Sequence, residues 1–398
     1  MSRSAAKKKT TKARLDVTDS GDRYVLITGG CGFVGTNLAH RLASSGQRVL
    51  LYDNLSRAGV ERNLDWLRDT HGELVQVREA DTRDAASVRD AVRRASQVFH
   101  FAAQVAVTTS LDDPIEDFEV NARGTLNVLE AIRNSGHRPP LFFTSTNKVY
   151  GGLDDVTLEE HDGRYVPAVA SIAQHGISEE RPLDFHSPYG CSKGAADQYI
   201  RDYARSYGMQ TVVFRMSCIY GPHQFGTEDQ GWVAHFLIRA LNRESITIYG
   251  DGKQVRDVLF VDDLVDAFLL AAANIDVVSG QAFNLGGGAA NTVSLVELLQ
   301  MIQKLDGRAP RVDYGDWRTG DQRFYVSDTR RFGELTGWKP AVAPAEGVRL
   351  LREWLVESGV PALVQQADER PAARVASNVT QMPPVASDVS IATTTVNE

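Results

Sequence analysis

A tyrosine and a lysine four positions apart, Tyr189 and Lys193, form the clearest chemical pattern in the sequence. They lie at the start of a predicted helix that runs to about Tyr207, and at this spacing both side chains share one helix face. A lysine ammonium beside a phenol favours the phenolate and lowers the pKa of the phenol. The pair is therefore predicted to take a proton from a substrate hydroxyl near neutral pH, although the same spacing occurs by chance on many helices.

Thr146 supplies a third group of the same kind. It follows the predicted strand Leu141 to Thr144 and stands at the strand tip, where its hydroxyl can bond the oxygen that Tyr189 would deprotonate. A hydroxyl residue at a strand tip followed along the chain by the tyrosine and lysine is the order expected for one reaction centre. Thr146, Tyr189 and Lys193 are the predicted catalytic residues.

A glycine-rich turn near the N-terminus predicts a dinucleotide site. The apolar strand Tyr24 to Ile27 is followed by Gly29, Gly32 and Gly35, and then by the amphipathic helix Thr36 to Ala43. A diphosphate reaches backbone N–H groups at a helix N-terminus only where no Cβ intervenes. A glycine triplet by itself is a weak signal with structural uses as well, so its context decides.

Asp53 supplies that context. It ends a second predicted strand, Arg48 to Tyr52, 18 residues after Gly35. A carboxylate there accepts both ribose hydroxyls of an adenosine and repels a 2′-phosphate, so NAD is predicted in preference to NADP. The nearby Arg57 leaves NADP open, and Asp53 could also serve only to form the turn.

Asp81, just past the third predicted strand Leu74 to Val77, is placed either to accept from an adenine amino group or to cap the helix Ala85 to Arg94. The fourth strand, Gln97 to Phe101, is followed by small residues that let a dinucleotide lie flat. The predicted cofactor-binding residues are Gly29, Gly32, Phe33, Val34, Gly35, Asp53, Asn54, Ser56, Arg57, Asp81, Thr82, Ala102, Ala103, Gln104, Asn121, Thr144, Tyr189 and Lys193.

Strands alternate with helices along most of the chain, which predicts an α/β protein: a doubly wound parallel Rossmann sheet with a smaller C-terminal α/β substrate domain. Residues 21–220 and 255–287 are assigned to the NAD-binding domain, and 221–254 and 288–360 to the substrate-binding domain. Residues 152–186 are interpreted as a long loop. The polar arm 1–20 and the tail 361–398 are predicted to be disordered.

Composition narrows the classes of function. The 398 residues carry a net charge of −8 without a basic stripe, so nucleic acid is not an expected partner. The three cysteines, Cys31, Cys191 and Cys218, lack metal-ligand spacing, and reduced thiols favour the cytoplasm. No apolar run reaches the length of a membrane span, and no secretory signal or metal site is expected.

The motifs resemble those of the extended short-chain dehydrogenase/reductase family, in its nucleotide-sugar epimerase and dehydratase branch. Thr28 to Gly35 is similar to that family's cofactor turn, and Thr146, Tyr189 and Lys193 are similar to its catalytic residues. Arg256-Asp257, followed by Val261 to Asp263, is similar to its return towards the sheet. The resemblance covers about Tyr24 to Ser358 and implies NAD as cofactor.

Within that branch, longer stretches resemble the epimerases that invert C2 of CDP-linked sugars. The similar stretches are Asp53 to Arg57, Gln104 to Ser110, Ser145 to Gly151, Leu183 to Tyr199, Asp229 to Trp232 and Asp321 to Arg323. This resemblance implies a nucleoside-diphosphate sugar as substrate, with a CDP-sugar favoured, and a homodimer or higher homo-oligomer. It implies that NAD stays bound through turnover.

Substrate contacts are expected at the mouth above the strand ends. Arg256 and Arg323 are candidates to hold a diphosphate, because a guanidinium pairs with phosphate in a bidentate manner, and a surface ion pair is the alternative for each. The predicted substrate-binding residues are Thr108, Ser110, Thr146, Asn147, His186, Gln224, Gln230, Arg256 and Arg323.

The residues after Thr146 bear on the type of reaction. Dehydratases of the family carry acidic residues there to drive elimination of water, whereas this chain has Asn147 and Lys148. Epimerisation by reversible oxidation is therefore favoured. A UDP-hexose 4-epimerase remains an alternative, as do an NADP-dependent reductase and a non-catalytic NAD-binding scaffold or sensor, although such scaffolds usually lose the tyrosine or lysine.

Overall fold

The structure is a computed structural model that describes residues 23–318 and 320–360. The predicted disordered arm 1–20 and tail 361–398 lie outside the described residues. Within these described ranges, no helix has both the length and the apolar character needed to cross a membrane.

The strands and helices follow one another along the whole described chain. The strands are β1 (Tyr24–Thr28), β2 (Val49–Asp53), β3 (Val75–Glu79), β4 (Ala95–His100), β5 (Leu141–Thr146), β6 (Leu158–His161), β7 (Arg164–Pro167), β8 (Thr211–Met216), β9 (Cys218–Tyr220), β10 (Ser245–Tyr249), β11 (Val255–Phe260), β12 (Gln281–Leu285), β13 (Thr292–Ser294), β14 (Arg311–Gly315) and β15 (Phe324–Tyr325). The helices are α1 (Phe33–Ser44), α2 (Val60–His71), α3 (Ala85–Val92), α4 (Val107–Asp112), α5 (Pro114–Phe118), α6 (Gly124–Arg133), α7 (Ala170–His175), α8 (Ser187–Tyr207), α9 (Trp232–Leu241), α10 (Val261–Ala273), α11 (Ile275–Val278), α12 (Leu295–Asp306), α13 (Arg330–Thr336) and α14 (Pro344–Glu357).

Seven parallel strands form the central sheet, in the order β12-β8-β5-β4-β1-β2-β3. The strand order reverses between β1 and β4, and in open α/β sheets ligands bind in the crevice at the carboxyl ends of the strands at this point. The predicted doubly wound sheet is confirmed.

Helices cover both faces of this sheet, so every residue of the central strands β1 and β5 is buried. On one face, α1 and α10 pack around Leu38 and Phe268. On the other face, α6 and α8 pack around Val128 and Ile200. Two apolar layers therefore fix the strand ends that carry the candidate site.

A smaller α/β unit packs against the carboxyl edge of the sheet. Strand β10 pairs with β14, and β11 pairs with β9, β13 and β15. Helices α9, α12 and α14 cover this unit around Leu237, Leu298 and Leu351. Strand β11 was expected in the cofactor domain, and it lies in this smaller sheet instead.

The segment 152–186 is not the plain loop that its polar sequence indicated. It contains the antiparallel hairpin β6–β7 and the helix α7. Tyr165 donates a hydrogen bond to Asp251 at 2.5 Å, and Lys253 pairs with Glu160 at 2.6 Å. These contacts with the smaller unit order short strands that have no strong apolar alternation of their own.

Candidate active site

A cavity of about 780 Å³ lies between the carboxyl ends of β1, β4 and β5 and the smaller unit. Its wall contains the three predicted catalytic residues and most of the predicted binding residues. The predicted residues that line it are Gly29, Gly32, Phe33, Val34, Gly35, Asp53, Asn54, Ser56, Arg57, Asp81, Thr82, Ala102, Ala103, Gln104, Thr108, Thr144, Thr146, Asn147, Tyr189, Lys193, Gln224, Gln230 and Arg256.

The glycine turn connects β1 to α1, as the sequence predicted. Gly29 has a φ of +67°, and a Cβ there would lie 2.7 Å from the backbone nitrogen of Ala102 on the neighbouring chain segment. A Cβ on Gly35 would lie 2.4 Å from the Gly29 oxygen. By contrast, a Cβ on Gly32 would meet only the Gly29 oxygen, at 3.2 Å, so the cavity wall there is open backbone at a helix N-terminus.

Asp53 is held by two backbone N–H groups at the end of β2. Its Oδ2 accepts from the Cys31 nitrogen and its Oδ1 from the Leu55 nitrogen, each at 3.0 Å. Burial raises the pKa of Asp53, and these two hydrogen bonds act in the opposite direction. The carboxylate is thus fixed beside the glycine turn, with acceptor capacity left for ribose hydroxyls.

Asp81 lines the cavity, but it does not cap α3. The cap is Asp84, whose side chain accepts from the backbone nitrogens of Ala86 and Ser87. Asp81 instead accepts from Asn54 Nδ2 at 2.9 Å and pairs with Arg83, and these contacts lower its pKa to about 2. The helix-capping alternative for Asp81 is therefore wrong.

The three predicted catalytic residues come together from β5 and the first turns of α8. Burial raises the pKa of Tyr189 to about 12, and a hydrogen bond with Thr146 lowers it in part. Burial also lowers the pKa of Lys193 to about 7, and its Nζ lies 4.2 Å from the ring centre of Phe143. The expected fall in the phenol pKa is not met in the protein alone, because burial and the Asp117 charge both raise the pKa and together outweigh the hydrogen bond with Thr146.

Asn121 lies in a π-helical turn, residues Glu119–Arg123, that separates α5 from α6. Its Nδ2 lies 3.1 Å from the Gln104 oxygen, 3.0 Å from Asp117 Oδ1 and 3.1 Å from Ser192 Oγ. Asn121 Oδ1 also accepts from the Gln104 nitrogen. A single buried amide therefore joins the cavity wall to α8 next to Lys193, and π-helical turns are frequent at functional sites.

On the opposite side of the cavity, the segment Gly320 to Gln322 connects β5 to β11. Arg256 donates to Asp321 Oδ1 at 2.7 Å. Asn147 Nδ2 donates to Gln322 Oε1 at 3.1 Å, and Lys148 Nζ donates to the Gly320 oxygen at 2.9 Å. The two residues after Thr146 in the sequence, Asn147 and Lys148, therefore place an amide and an ammonium group next to it in the structure.

Four predicted binding residues are outside the cavity wall. Ser110 Oγ accepts from the Tyr189 nitrogen at 3.2 Å, and Asn121 lies behind Gln104. His186 precedes α8 on the surface and pairs with Asp184 at 3.0 Å, and Arg323 stacks on Tyr165 and Trp317. Direct contact is therefore not supported for Ser110, Asn121, His186 or Arg323, because their side chains are directed to protein neighbours.

The sequence interpretation missed much of the wall that the smaller unit contributes. They include Cys218, Ile219, Trp232, Val233, Thr247, Tyr249, Gln254 and Arg318. Met216 at the end of β8, Ser217 after it and Lys148 after β5 were missed as well. Lys148 could have been predicted as a lining residue, because it is only two residues after Thr146 in the sequence. The other residues reach the cavity through packing between elements that are far apart in the sequence, so no local sequence pattern predicts them.

Residues 25–286 match the NAD dependent epimerase/dehydratase family. This chain belongs to that family. It is 43% identical over 338 residues to the CDP-paratose 2-epimerase of Salmonella typhi, across 83% of this chain and 98% of that protein. It is 33% identical over 324 residues to a UDP-glucose 4-epimerase of Mycolicibacterium smegmatis, across 81% and 95% of the two chains. The family resemblance described above is confirmed.

Solved structures of this epimerase/dehydratase family show the same fold. The UDP-glucose 4-epimerase of Thermus thermophilus, in complex with NAD, superposes with a TM-score of 0.69 at 32% identity, over 84% of this chain and 99% of that one. A dTDP-glucose 4,6-dehydratase from Streptomyces venezuelae with NAD bound gives a TM-score of 0.72 at 26% identity, over 84% and 97%. Both chemistries occur on this fold, so the site residues must distinguish them.

The cavity of this family member fits NAD. Gly32 leaves backbone N–H groups at the start of α1 open to a diphosphate, and Asp53 is fixed to accept ribose hydroxyls. A carboxylate in that position disfavours the 2′-phosphate of NADP. Arg57, which left NADP open, is hydrogen-bonded to Gln230 Oε1 at 2.5 Å. NAD is the cofactor of this enzyme.

Proposed function

We propose that this protein is an NAD-dependent nucleotide-sugar epimerase of the CDP-paratose 2-epimerase type, which inverts one sugar carbon by transient oxidation. The observation that carries the proposal is the identity of 43% over 98% of the Salmonella typhi enzyme. The contacts of Thr146, Asn147, Lys148 and Tyr189 described above agree with it.

In this proposal NAD, held by the glycine turn and Asp53, would supply the reversible hydride acceptor for one sugar carbon. Tyr189 takes the proton of the hydroxyl on that carbon and gives it back to the oxygen at the end of the cycle. Thr146 bonds the same oxygen. Lys193 holds the cofactor ribose and favours the ionised phenol. Between the two half-reactions the oxidised sugar rotates in the cavity, so that the hydride returns to its other face.

The side chains after Thr146 oppose dehydration. Elimination of water needs a carboxyl group as acid or base beside the sugar. Here Asn147 is bonded to Gln322 and Lys148 to the Gly320 oxygen, so the position holds an amide and an ammonium. The oxidised sugar is therefore expected to be reduced again at the same carbon rather than lose water.

A UDP-hexose 4-epimerase is the second candidate, because the Mycolicibacterium smegmatis relative acts on UDP-glucose by its name. The chemistry is the same at another carbon, and the preference for a CDP-sugar rests on the higher identity to the CDP-paratose enzyme. A non-catalytic scaffold or sensor is disfavoured by the assembled Thr146, Tyr189 and Lys193.

A homodimer belongs to the same proposal. Leu111, Ile115 and Phe118 on α4 and α5 are at least half exposed, as is Tyr199 on the packed helix α8. Exposed apolar side chains on helices that pack together favour a symmetric interface with a second copy. Sedimentation at several concentrations tests it, and a monomer at every concentration would refute it.

The division of labour between the two parts of the chain also stays a proposal: 21–220 with 255–287 for the cofactor, and 221–254 with 288–360 for the substrate, except that β11 (Val255–Phe260) pairs in the smaller sheet. A cytoplasmic location is supported by Cys31, Cys191 and Cys218, all of which are free thiols. We expect no nucleic-acid partner, in line with the net charge of −8.

The direct test incubates the purified protein with CDP- and UDP-linked sugars and identifies the products by NMR. Inversion at C2 of a CDP-sugar supports the first proposal, and inversion at C4 of a UDP-hexose supports the second. Loss of water with formation of a 4-keto-6-deoxy sugar would overturn both. No turnover of any nucleotide sugar would favour the scaffold.

A further inference from the structure

We propose that Lys148 binds the diphosphate of the nucleotide sugar, beside Arg256, which the sequence already made a candidate for that ligand. This inference rests on the proposed function for the identity of the ligand. Lys148 directly follows the strand-tip residues Thr146 and Asn147, and Arg256 lies on β11 of the smaller unit. The two cations therefore come from different parts of the fold, Lys148 from the main domain and Arg256 from the smaller unit.

The segment Gly320 to Gln322 brings the two cations together. Lys148 Nζ donates to the Gly320 oxygen at 2.9 Å, and Arg256 donates to the Asp321 carboxylate at 2.7 Å. Gly320 and Asp321 are consecutive, so the ammonium and the guanidinium are anchored on adjacent residues. Lys148, Arg256, Gly320 and Asp321 all line the cavity.

The charges at this point do not balance. Asp321 pairs with Arg256, whereas Lys148 has no carboxylate within 4.0 Å of its Nζ among the described residues. Two cations and one carboxylate leave one positive charge on a cavity wall, and a carbonyl oxygen satisfies only one of the three ammonium donors. An anion with several oxygens is the ligand class that supplies the missing charge and acceptors.

The surroundings of Lys148 agree with this assignment. The charged and titratable groups that face it are Arg256 from β11, Asp321 from the segment beside it and Cys218 from β9. Burial and the Arg256 charge lower the pKa of Lys148 to about 8. The negative charge of the neighbouring groups is therefore too small to offset the burial of this ammonium. Burial raises the pKa of Cys218, so its thiol stays neutral and does not supply that charge.

The experiment measures the affinity of the NAD-loaded protein for CDP, UDP and cytidine by calorimetry. Lys148→Met should weaken CDP binding about 10- to 100-fold, the range for a charge-assisted contact, and leave cytidine binding within about twofold. Retained NAD content and an unchanged melting temperature show that the variant is folded. Equal CDP affinity in Lys148→Met and the natural protein would overturn the inference.

Lys148→Arg is the matched control. CDP binding to the natural protein should weaken as the pH rises from about 7 to about 9, because the ammonium loses its proton near a pKa of about 8. The guanidinium stays charged over this range, so the Lys148→Arg protein should bind CDP with little dependence on pH. An identical pH dependence in both proteins would also refute the role of Lys148.

The same data separate this inference from the proposed function. If neither CDP nor UDP binds the natural protein, the nucleotide-sugar proposal fails. If either binds and Lys148→Met binds it equally well, only the role of Lys148 fails.

Discussion

Asn121 Nδ2 and Ser192 Oγ lie 3.1 Å apart, and this contact joins the π-helical turn to helix α8 at the residue before Lys193. The same amide bonds the Gln104 backbone in the cavity wall through both of its polar atoms. Asn121 therefore couples the position of the lysine to the position of the wall without lining the cavity itself.

Asn121→Ala should destabilise the fold and slow turnover. The change leaves the Gln104 backbone and the buried Asp117 Oδ1 without their Asn121 partner, at a cost of about 2 to 4 kcal/mol in the free energy of unfolding. Asn134→Ala is the control, since the Asn134 side chain is hydrogen-bonded to Glu130 at the exposed end of α6. Urea unfolding measures both, and equal stability of the two variants would contradict the role given to Asn121.

Gly29→Ala should disrupt the cofactor turn far more than Gly46→Ala. Both glycines have a positive φ, of +67° and +83°, so backbone strain of about 1 to 2 kcal/mol is common to both variants. A Cβ at Gly29 collides with the Ala102 backbone, whereas one at Gly46 meets nothing within 4 Å. We expect Gly29→Ala to lose NAD and Gly46→Ala to retain it, as quantified from the released cofactor. Equal NAD content would show that the contact with Ala102 is unimportant.

Asp117→Asn should move the pH profile of kcat/KM towards lower pH. Asp117 is fully buried, its Oδ2 has no hydrogen-bond partner among the described residues, and its charge raises the pKa of both Tyr189 and Lys193. Removing that charge makes the phenol ionise, and the ammonium lose its proton, at lower pH. Activity requires the ionised phenol and the charged lysine, so both limbs of a bell-shaped profile shift in the acid direction.

The other groups around this pair stay in place in the variant. Asp197 remains bonded to Arg215 at 2.9 Å, and His100 remains neutral because burial lowers its pKa to about 3. Initial rates from about pH 6 to about pH 10 include the limb near pH 7, which is the pKa of Lys193, and the shift of that limb measures the effect. A profile that is lower but unmoved would mean that Asp117 only supports the structure.

Tyr189→Phe should reduce kcat by about 10²- to 10⁴-fold, because the phenol is the group that moves the proton. NAD content should not change, since the ring and its packing stay. Tyr207→Phe, at the exposed end of the same helix, should keep the rate within about twofold. A Tyr189→Phe protein with full turnover of a nucleotide sugar would remove the tyrosine from the mechanism.

The sequence predicted those parts of the fold and the site that local patterns determine. The glycine turn, Asp53 and the pair Tyr189 and Lys193 each lie within, or next to, one strand–turn–helix unit. Their spacing therefore fixes which face or strand end they occupy. The seven-stranded sheet followed in the same way from alternating apolar strands and amphipathic helices.

Long-range packing decided what the sequence did not predict. Ser110 and His186 are polar residues near the site, and nothing in their local pattern shows that Ser110 supports the Tyr189 backbone while His186 pairs with Asp184 on the surface. The sequence did not predict the π-helical turn, because the apolar pattern of residues 117–133 continues across it and indicates one uninterrupted α-helix. Arg323 stacks on Tyr165 because the hairpin β6–β7 is folded, and that hairpin was interpreted as loop.

The measurement that tests the central claim most directly is turnover of the nucleotide sugar in D₂O, followed by proton NMR at the inverted carbon. Transient oxidation with return of the same hydride predicts that this carbon keeps its original hydrogen through complete epimerisation. Deuterium at the inverted carbon would show that the hydrogen exchanges with solvent as a proton, and would contradict epimerisation through NAD and Tyr189.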